Sequence, residues 1–139
     1  MEFTRRDTLG LALGAAALTV LPYRAFAAAG DEAIQAFTGG AEVTEGGVEL
    51  IAPEIAENGN TVPIEVSAPG ASAIMVLALG NPTPGVATFK FGPLAGSQAA
   101  STRIRLAGTQ DVVAIAKMED GSFAKATSTV KVTIGGCGG

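Results

Sequence analysis

The chain of 139 residues contains no histidine, no tryptophan and a single cysteine. The absence of histidine removes the commonest general base and a common metal ligand. A single cysteine cannot form a disulfide within the chain, so it is either a buried small side chain or a reactive thiol. Basic residues are also scarce, with nine Lys and Arg against thirteen Asp and Glu. This balance argues against nucleic acid or an anionic membrane surface as a partner.

The first 27 residues have the features of a secretory signal. Arg5 and Arg6 precede an apolar run over residues 9–21, and small residues at Ala25 and Ala27 fit a cleavage site. The run is too short and too rich in Ala and Gly for a permanent membrane span, which needs about 20 apolar residues. The alternative is a buried N-terminal helix, which the charged and small-residue flanks disfavour. We therefore expect cleavage after Ala27.

The paired arginines further indicate the export route. Residues 4–9 resemble the twin-arginine motif, although Thr8 stands where phenylalanine is usual. That route carries folded proteins, so we expect a periplasmic location and a partner that is bound before export. Three basic and two acidic residues lie in the signal, which leaves a mature chain with a net charge of about −5.

The pattern over residues 28–134 predicts one β-rich domain that begins with a short helix. Residues 31–37 form the predicted helix, with Asp31 as its cap and Ala33, Ile34 and Phe37 on its apolar face. Period-two alternation follows and predicts an all-β fold, an immunoglobulin-like antiparallel β-sandwich. The predicted strands are residues 48–51, 61–66, 73–79, 86–91, 101–106, 112–118 and 123–134.

Three local signals refine this prediction. Residues 53–60 are expected to form a loop, and Asp120-Gly121 indicates a hairpin before the last strand. Pro63 cannot donate a hydrogen bond to a neighbouring strand, so we expect its strand to lie at a sheet edge or to contain a bulge. Such an edge offers a surface that a second sandwich could cover.

The chain ends in the C-terminal arm, residues 135–139, which reads Gly135-Gly136-Cys137-Gly138-Gly139. Four glycines in five residues favour a flexible segment, because glycine loses the most backbone freedom on ordering. Cys137 is therefore expected to be exposed rather than buried. An extended arm of five residues reaches on the order of 17 Å.

Most cysteine chemistries do not fit this arm. A catalytic nucleophile needs a nearby base or a positive field, whereas Cys137 is flanked by glycines and a terminal carboxylate. A disulfide oxidoreductase needs a second thiol, and a metal site needs several ligands. We expect no catalytic residue and no metal site. The remaining use is a covalent attachment point that enters a narrow channel, since the glycines add no side chains to the arm.

The terminal Gly135-Gly136-Cys137-Gly138-Gly139 on an exported β-rich domain resembles the SoxY family, the sulfur-carrier subunits of the bacterial thiosulfate-oxidising (Sox) system. The stretch over residues 52–64 is similar to the family's segment between its first strands. By this resemblance Cys137 is the sulfur attachment residue, Gly135, Gly136, Gly138 and Gly139 form the carrier arm, and the protein is a carrier rather than an enzyme.

The resemblance also implies partners. It implies a heterodimer with SoxZ, a c-type cytochrome complex (SoxXA) that joins thiosulfate to the cysteine, and a manganese hydrolase (SoxB) that releases sulfate. A molybdenum–haem sulfur dehydrogenase (SoxCD) is a further partner where it exists. The haem, manganese and molybdenum belong to these partners, so no cofactor is expected in this chain.

Two other functions remain open from the residues themselves. The first is an exported structural module that Cys137 joins into a disulfide homodimer. The second is a thiol enzyme that acts alone, for which the sequence supplies no general base.

Overall fold

A computed structural model of the protein describes the backbone of residues 21–135 and the side chains of residues 28–135. Within these residues one helix, α1 (Leu21–Thr38), precedes the strands, so the prediction of an all-β fold with one N-terminal helix is confirmed. The strands are β1 (Val43–Glu45), β2 (Glu49–Ile51), β3 (Ile55–Asn58), β4 (Val62–Ser67), β5 (Ala71–Ala78), β6 (Gly85–Lys90), β7 (Ala99–Ile104), β8 (Gln110–Met118) and β9 (Phe123–Ile134).

The strands form the two sheets of the predicted β-sandwich. The larger sheet has the order β1-β9-β8-β5-β6, with β3 also paired to β9, and the smaller sheet has the order β2-β4-β7. Most neighbouring strands are antiparallel, as predicted, but β1 and β3 run parallel to β9. The prediction of a wholly antiparallel arrangement was wrong at these two pairs. Both short strands reach β9 through long connections, which parallel pairing requires, rather than through hairpins.

The main core lies between the two sheets. The large side chains that are almost fully buried include Ile64, Ile74, Leu106, Val112 and Val130. Strands β5 and β8 are buried along nearly their whole length. A strand buried on both faces shows a continuous apolar run instead of alternation, and the run over residues 73–79 correctly predicted a central strand.

Helix α1 covers the outer face of the larger sheet. Ala33, Ile34 and Phe37 pack against a second buried cluster that contains Leu77 and Ile115, which confirms the predicted apolar face of the helix. The ring of Phe37 meets that of Phe123 edge to face, with centroids 5.8 Å apart. The second half of α1 therefore forms part of the packed domain.

The start of the helix differs from the prediction. The structure begins α1 at Leu21, so Asp31 lies inside the helix and does not cap it. The segment that precedes Asp31 is rich in alanine and contains no proline after Pro22, which favours continuation of the helix through Gly30. The helix ends at Thr38, as expected, and Gly39 and Gly40 follow with positive φ. The predicted cleavage site after Ala27 stays a prediction, and the arginine motif lies outside the described residues.

The prediction of a loop over residues 53–60 was wrong, because β3 forms within it. Ile55 pairs with Lys131, Ala56 with Val132, and Asn58 with Ile134. Only Ala56 among the four residues of β3 is buried, so the segment has no amphipathic pattern for a sequence-based prediction to detect. Its pairing with β9, about 75 positions later in the chain, makes it a strand.

The expectation for Pro63 was partly right. Strand β4 is the middle strand of the smaller sheet rather than an edge strand, and β7 pairs with it over its whole length. However, β2 covers only residues Glu65 to Ser67 of β4, so the chain has no neighbour on that side at Pro63. The missing N–H therefore costs no ladder hydrogen bond. The edge strands are β1, β3 and β6 in the larger sheet and β2 and β7 in the smaller sheet, so β4 offers a free edge only at residues 62–64.

The hairpin between β8 and β9 forms at the predicted Asp120-Gly121 turn. Gly121 has a φ of 87°, which glycine adopts without strain. Asp120 accepts hydrogen bonds from the Ser122 hydroxyl at 2.6 Å and the Ser122 N–H at 2.8 Å. The hydrogen bond from the Ser122 hydroxyl, and to a lesser extent the one from the Ser122 N–H, lowers the pKa of the Asp120 carboxyl.

Between residues 21 and 135, no helix combines the length and the apolar character needed to cross a membrane.

Candidate functional site

The candidate site is the point at which the chain leaves the domain toward Cys137. Gly135 belongs to the described residues and follows directly after β9. The other predicted site residues, Gly136, Cys137, Gly138 and Gly139, lie outside the described residues. The structure therefore shows how the domain holds the root of the C-terminal arm.

The last four residues of β9 extend beyond its partner β8. The pairing of β8 with β9 ends at Val130, opposite Gln110. On the side away from β8, strand β3 pairs with these residues, starting with a hydrogen bond from the Lys131 N–H to the Glu54 carbonyl at 2.9 Å. The Gly59 N–H donates to the Ile134 carbonyl at 2.7 Å. One side of β9 is thus held by backbone bonds up to the residue before the arm.

The β7–β8 loop, residues 105–109, holds the other side of β9. The hydroxyl oxygen of Thr109 accepts a hydrogen bond from the Val132 N–H at 3.0 Å and lies 3.5 Å from the Val132 carbonyl. The Leu106 N–H donates to the Gly59 carbonyl at 2.8 Å. Because Gly59 also binds Ile134, it links the loop to the end of β9.

Gly135 touches the same loop. A Cβ atom added to Gly135 would overlap the carbonyl oxygen of Ala107 and would lie 3.3 Å from its carbonyl carbon. Both neighbours are backbone atoms, which cannot turn aside as the end of a flexible side chain can. The close approach therefore explains the need for glycine at the first arm position on steric grounds, separately from any need for flexibility.

Two buried amides organise the β7–β8 loop. Asn81 donates to the Arg105 carbonyl at 2.8 Å and accepts from the Ala107 N–H at 2.9 Å. Gln110 donates from its side-chain nitrogen to the Asn81 side-chain oxygen at 2.9 Å and to the Gly108 carbonyl at 3.0 Å. Its own oxygen accepts from the Gly80 N–H at 2.9 Å.

Asn81 and Gln110 are two of the three buried polar residues within residues 28–135. The buried polar residues there are Thr38, Asn81 and Gln110, and Thr38 bonds to its own helix and to Gly40. Burying an amide is costly unless its hydrogen bonds are made, and here they are made to the β7–β8 loop and the neighbouring turn. The sequence patterns did not single out Asn81, Thr109 or Gln110, because a lone polar residue in a turn or at a strand start is common.

The described part of the domain has no obvious reactive centre of its own. No three His, Cys, Asp or Glu side chains within residues 28–135 are grouped so as to hold a metal ion. A hollow of about 220 Å³ lies on the outer face of the smaller sheet, lined by Glu49, Ile51, Glu65, Val66, Ser67, Ala99, Ala100 and Ser101. None of these residues belongs to the segments around Gly135.

Comparison with known proteins gives a consistent family. The sequence profile described as sulfur oxidation protein SoxY matches residues 34–137. Among solved structures, the sulfur carrier protein SoxY from Chlorobium limicola f. thiosulfatophilum is similar, with 37% identity and a TM-score of 0.66. The similarity covers 75% of this chain and 96% of that chain. No curated protein sequence gave a match.

More distant structures share the fold alone. A superoxide reductase (neelaredoxin) from Ignicoccus hospitalis has 17% identity over 63% of this chain and 80% of its own, with a TM-score of 0.55. A hypothetical protein from Pyrococcus horikoshii OT3 has 13% identity over 64% of this chain and 96% of its own, with a TM-score of 0.52. The profile match over most of the chain, extending to Cys137, and the 37% identity to a solved SoxY establish that the chain belongs to the SoxY family of sulfur oxidation proteins.

Proposed function

We propose that the protein is a periplasmic sulfur carrier that holds thiosulfate-derived sulfur covalently on Cys137 and presents it to partner enzymes. The observation that carries this proposal is the extent of the family match, which runs through the domain and ends at Cys137. The similar SoxY from Chlorobium limicola is itself described as a sulfur carrier protein. Cys137 is the one cysteine of the chain, so a thiol-bound adduct has a single site.

In this proposal, partner enzymes carry out both the loading of the Cys137 thiol and the release of sulfate. The Cys137 thiol would lose its proton to solvent and its sulfur would bond to the outer sulfur of thiosulfate, while the two electrons released would pass one at a time to the haem-containing cytochrome complex SoxXA. Water then cleaves the bond to the terminal sulfone in the manganese hydrolase SoxB, which releases sulfate and leaves a persulfide on Cys137. Where SoxCD exists, it removes six electrons from the outer persulfide sulfur as water supplies three oxygens, and a second hydrolysis restores the thiol.

The architecture around Gly135 supports a carrier of this kind. The domain holds the end of β9 from both sides, so the point from which the arm departs is fixed. Tethering the intermediates keeps them at a high local concentration while successive enzymes dock on the domain. The proposal also includes the heterodimer with SoxZ and export by the twin-arginine route, because a folded export route provides a way to carry a partner that lacks a signal.

Intact-mass measurement of protein isolated from thiosulfate-fed cells tests the carrier function. The wild-type chain is expected to show mass additions that correspond to sulfur and sulfonate groups, all removable by a thiol reductant. The Cys137→Ser variant should have only its unmodified mass. A protein that occurs mainly as a disulfide homodimer without adducts would support the structural-module alternative instead.

Substitutions in the arm test whether it enters a narrow channel. We expect the Gly136→Val, Gly138→Val double variant to keep the thermal stability of the wild type, because the sequence predicts an exposed C-terminal arm at both positions. Loading and sulfate release with the partner enzymes should fall at least tenfold, because two branched side chains widen the arm beside the reacting thiol and small misplacements of reacting atoms are costly. Unchanged turnover would show that the enzymes admit a wide arm.

A further inference from the structure

We propose, building on the carrier function above, that Asn81, Thr109 and Gln110 are positioning residues that set the direction in which the arm leaves the domain. None of them touches the sulfur adduct. They act through the β7–β8 loop and the last residues of β9, and the hydrogen bonds among these segments carry the proposal.

The side-chain amides of Asn81 and Gln110 hold the β7–β8 loop in place. Asn81 and Gln110 together bond three backbone groups between Arg105 and Gly108 and one at Gly80. Leu106 is fully buried in the main core, which anchors the middle of the same loop. The loop therefore has a defined conformation, and its Ala107 carbonyl has a defined position.

The β7–β8 loop in turn contacts the end of β9 and Gly135. Thr109 bonds the backbone N–H of Val132, and the Ala107 carbonyl closes the space beside Gly135. Residues Lys131 to Ile134 lie between this loop and β3, past the end of the β8 ladder. Without the loop, they would be held only on the β3 side.

Loss of these contacts would slow the transfer of sulfur between Cys137 and a docked enzyme. Release of residues 131–134 would lengthen the tether that the sequence predicts from five residues to nine and would remove its fixed starting direction. The effective concentration of a tethered group falls roughly as the −3/2 power of the tether length, so lengthening alone costs about a factor of two to three. Loss of direction adds to this, and we expect transfer to a docked enzyme to slow by about three- to tenfold.

The sharpest variant is Thr109→Val, because Thr109 is exposed and the substitution keeps the shape of the side chain while it removes the hydroxyl. A matched control is Thr44→Val, since the Thr44 hydroxyl donates to the Phe123 carbonyl at 3.2 Å, at the opposite end of β9. Gln110→Met removes the buried amide and serves as a second test variant. Thr109→Val keeps the proposal testable if Gln110→Met fails to fold.

The first measurement is independent of the partner enzymes. Spin labels are attached to Cys137 and to a Glu119→Cys substitution on the exposed β8–β9 turn, and the distribution of label-to-label distances is recorded. Thr109→Val is expected to widen the distribution about twofold, whereas Thr44→Val leaves it as in the parent chain. Equal widths in all three proteins would overturn the proposal.

The second measurement separates positioning from folding and from docking. With thiosulfate and the cytochrome complex, Thr109→Val should lower kcat three- to tenfold at an unchanged KM for the carrier, while alkylation of Cys137 by iodoacetamide keeps its wild-type rate. The same loss of kcat in Thr44→Val would show a general loss of stability and would contradict the positioning role. Sulfur loading of a Cys137→Ser chain would refute the carrier function, whereas the spin-label result would still decide whether the loop directs the arm.

Discussion

Cys137→Ser is expected to reduce sulfate release from thiosulfate to the rate measured without the protein. The substitution removes the chain's one thiol, and a serine hydroxyl cannot form the sulfur–sulfur bond on which loading depends. Because the sequence predicts an exposed Cys137 in a glycine-rich C-terminal segment, unfolding temperature and far-UV circular dichroism should match those of the wild type. The measurement is sulfate formed in a mixture of the carrier with its partner enzymes, with thiosulfate as the substrate.

A relocated thiol separates the need for a cysteine from the need for the arm. Thr133 is exposed and lies on β9, so Thr133→Cys in the Cys137→Ser background restores an accessible thiol four positions earlier, on a held strand. We expect this chain to react with iodoacetamide and yet to release no sulfate. Restored turnover would mean that the enzymes need only a surface thiol, and the arm would lose its proposed role.

Gly135→Ala is expected to destabilise the domain and to impair loading, because the added methyl group overlaps the Ala107 carbonyl oxygen. Relief requires a shift of the β7–β8 loop or of the end of β9, and overpacking of this kind typically costs about 1–3 kcal/mol of unfolding free energy. For a domain of about this size each kcal/mol lowers Tm by roughly 4–8 °C. Calorimetry and urea unfolding measure the loss.

Gly108→Ala provides the matched control for this substitution. Gly108 lies in the same loop, next to Ala107, but a Cβ atom there meets nothing within 4 Å. Its Tm should therefore stay within about 2 °C of the wild type, as surface substitutions usually change stability by less than about 0.5 kcal/mol. A Gly135→Ala chain as stable as Gly108→Ala would show that the close approach to Ala107 is easily relaxed.

Local patterns along the chain determined most of the strands. The unbroken apolar run of β5 and the alternation around Ile104 and Leu106 both report burial directly, because side chains on a strand point alternately to its two faces. The Asp120-Gly121 turn needs a residue that tolerates positive φ, and glycine supplies it locally. The family was likewise evident from the terminal glycine-rich segment, whereas the attachment role of Cys137 stays a prediction.

Tertiary structure alone decided which segments meet at the root of the arm. Strand β3 has no amphipathic pattern and exists because β9 offers it a free side beyond its pairing with β1. Asn81 lies far along the chain from Thr109 and Gln110, and their contacts are hydrogen bonds between groups that are 23 to 30 positions apart or lie in one loop. Periodicity describes the environment of each residue along its own strand, whereas such contacts depend on how distant strands are ordered and paired. The sequence by itself therefore indicated the family and the candidate attachment residue, and only the folded domain revealed which segments hold the chain up to Gly135.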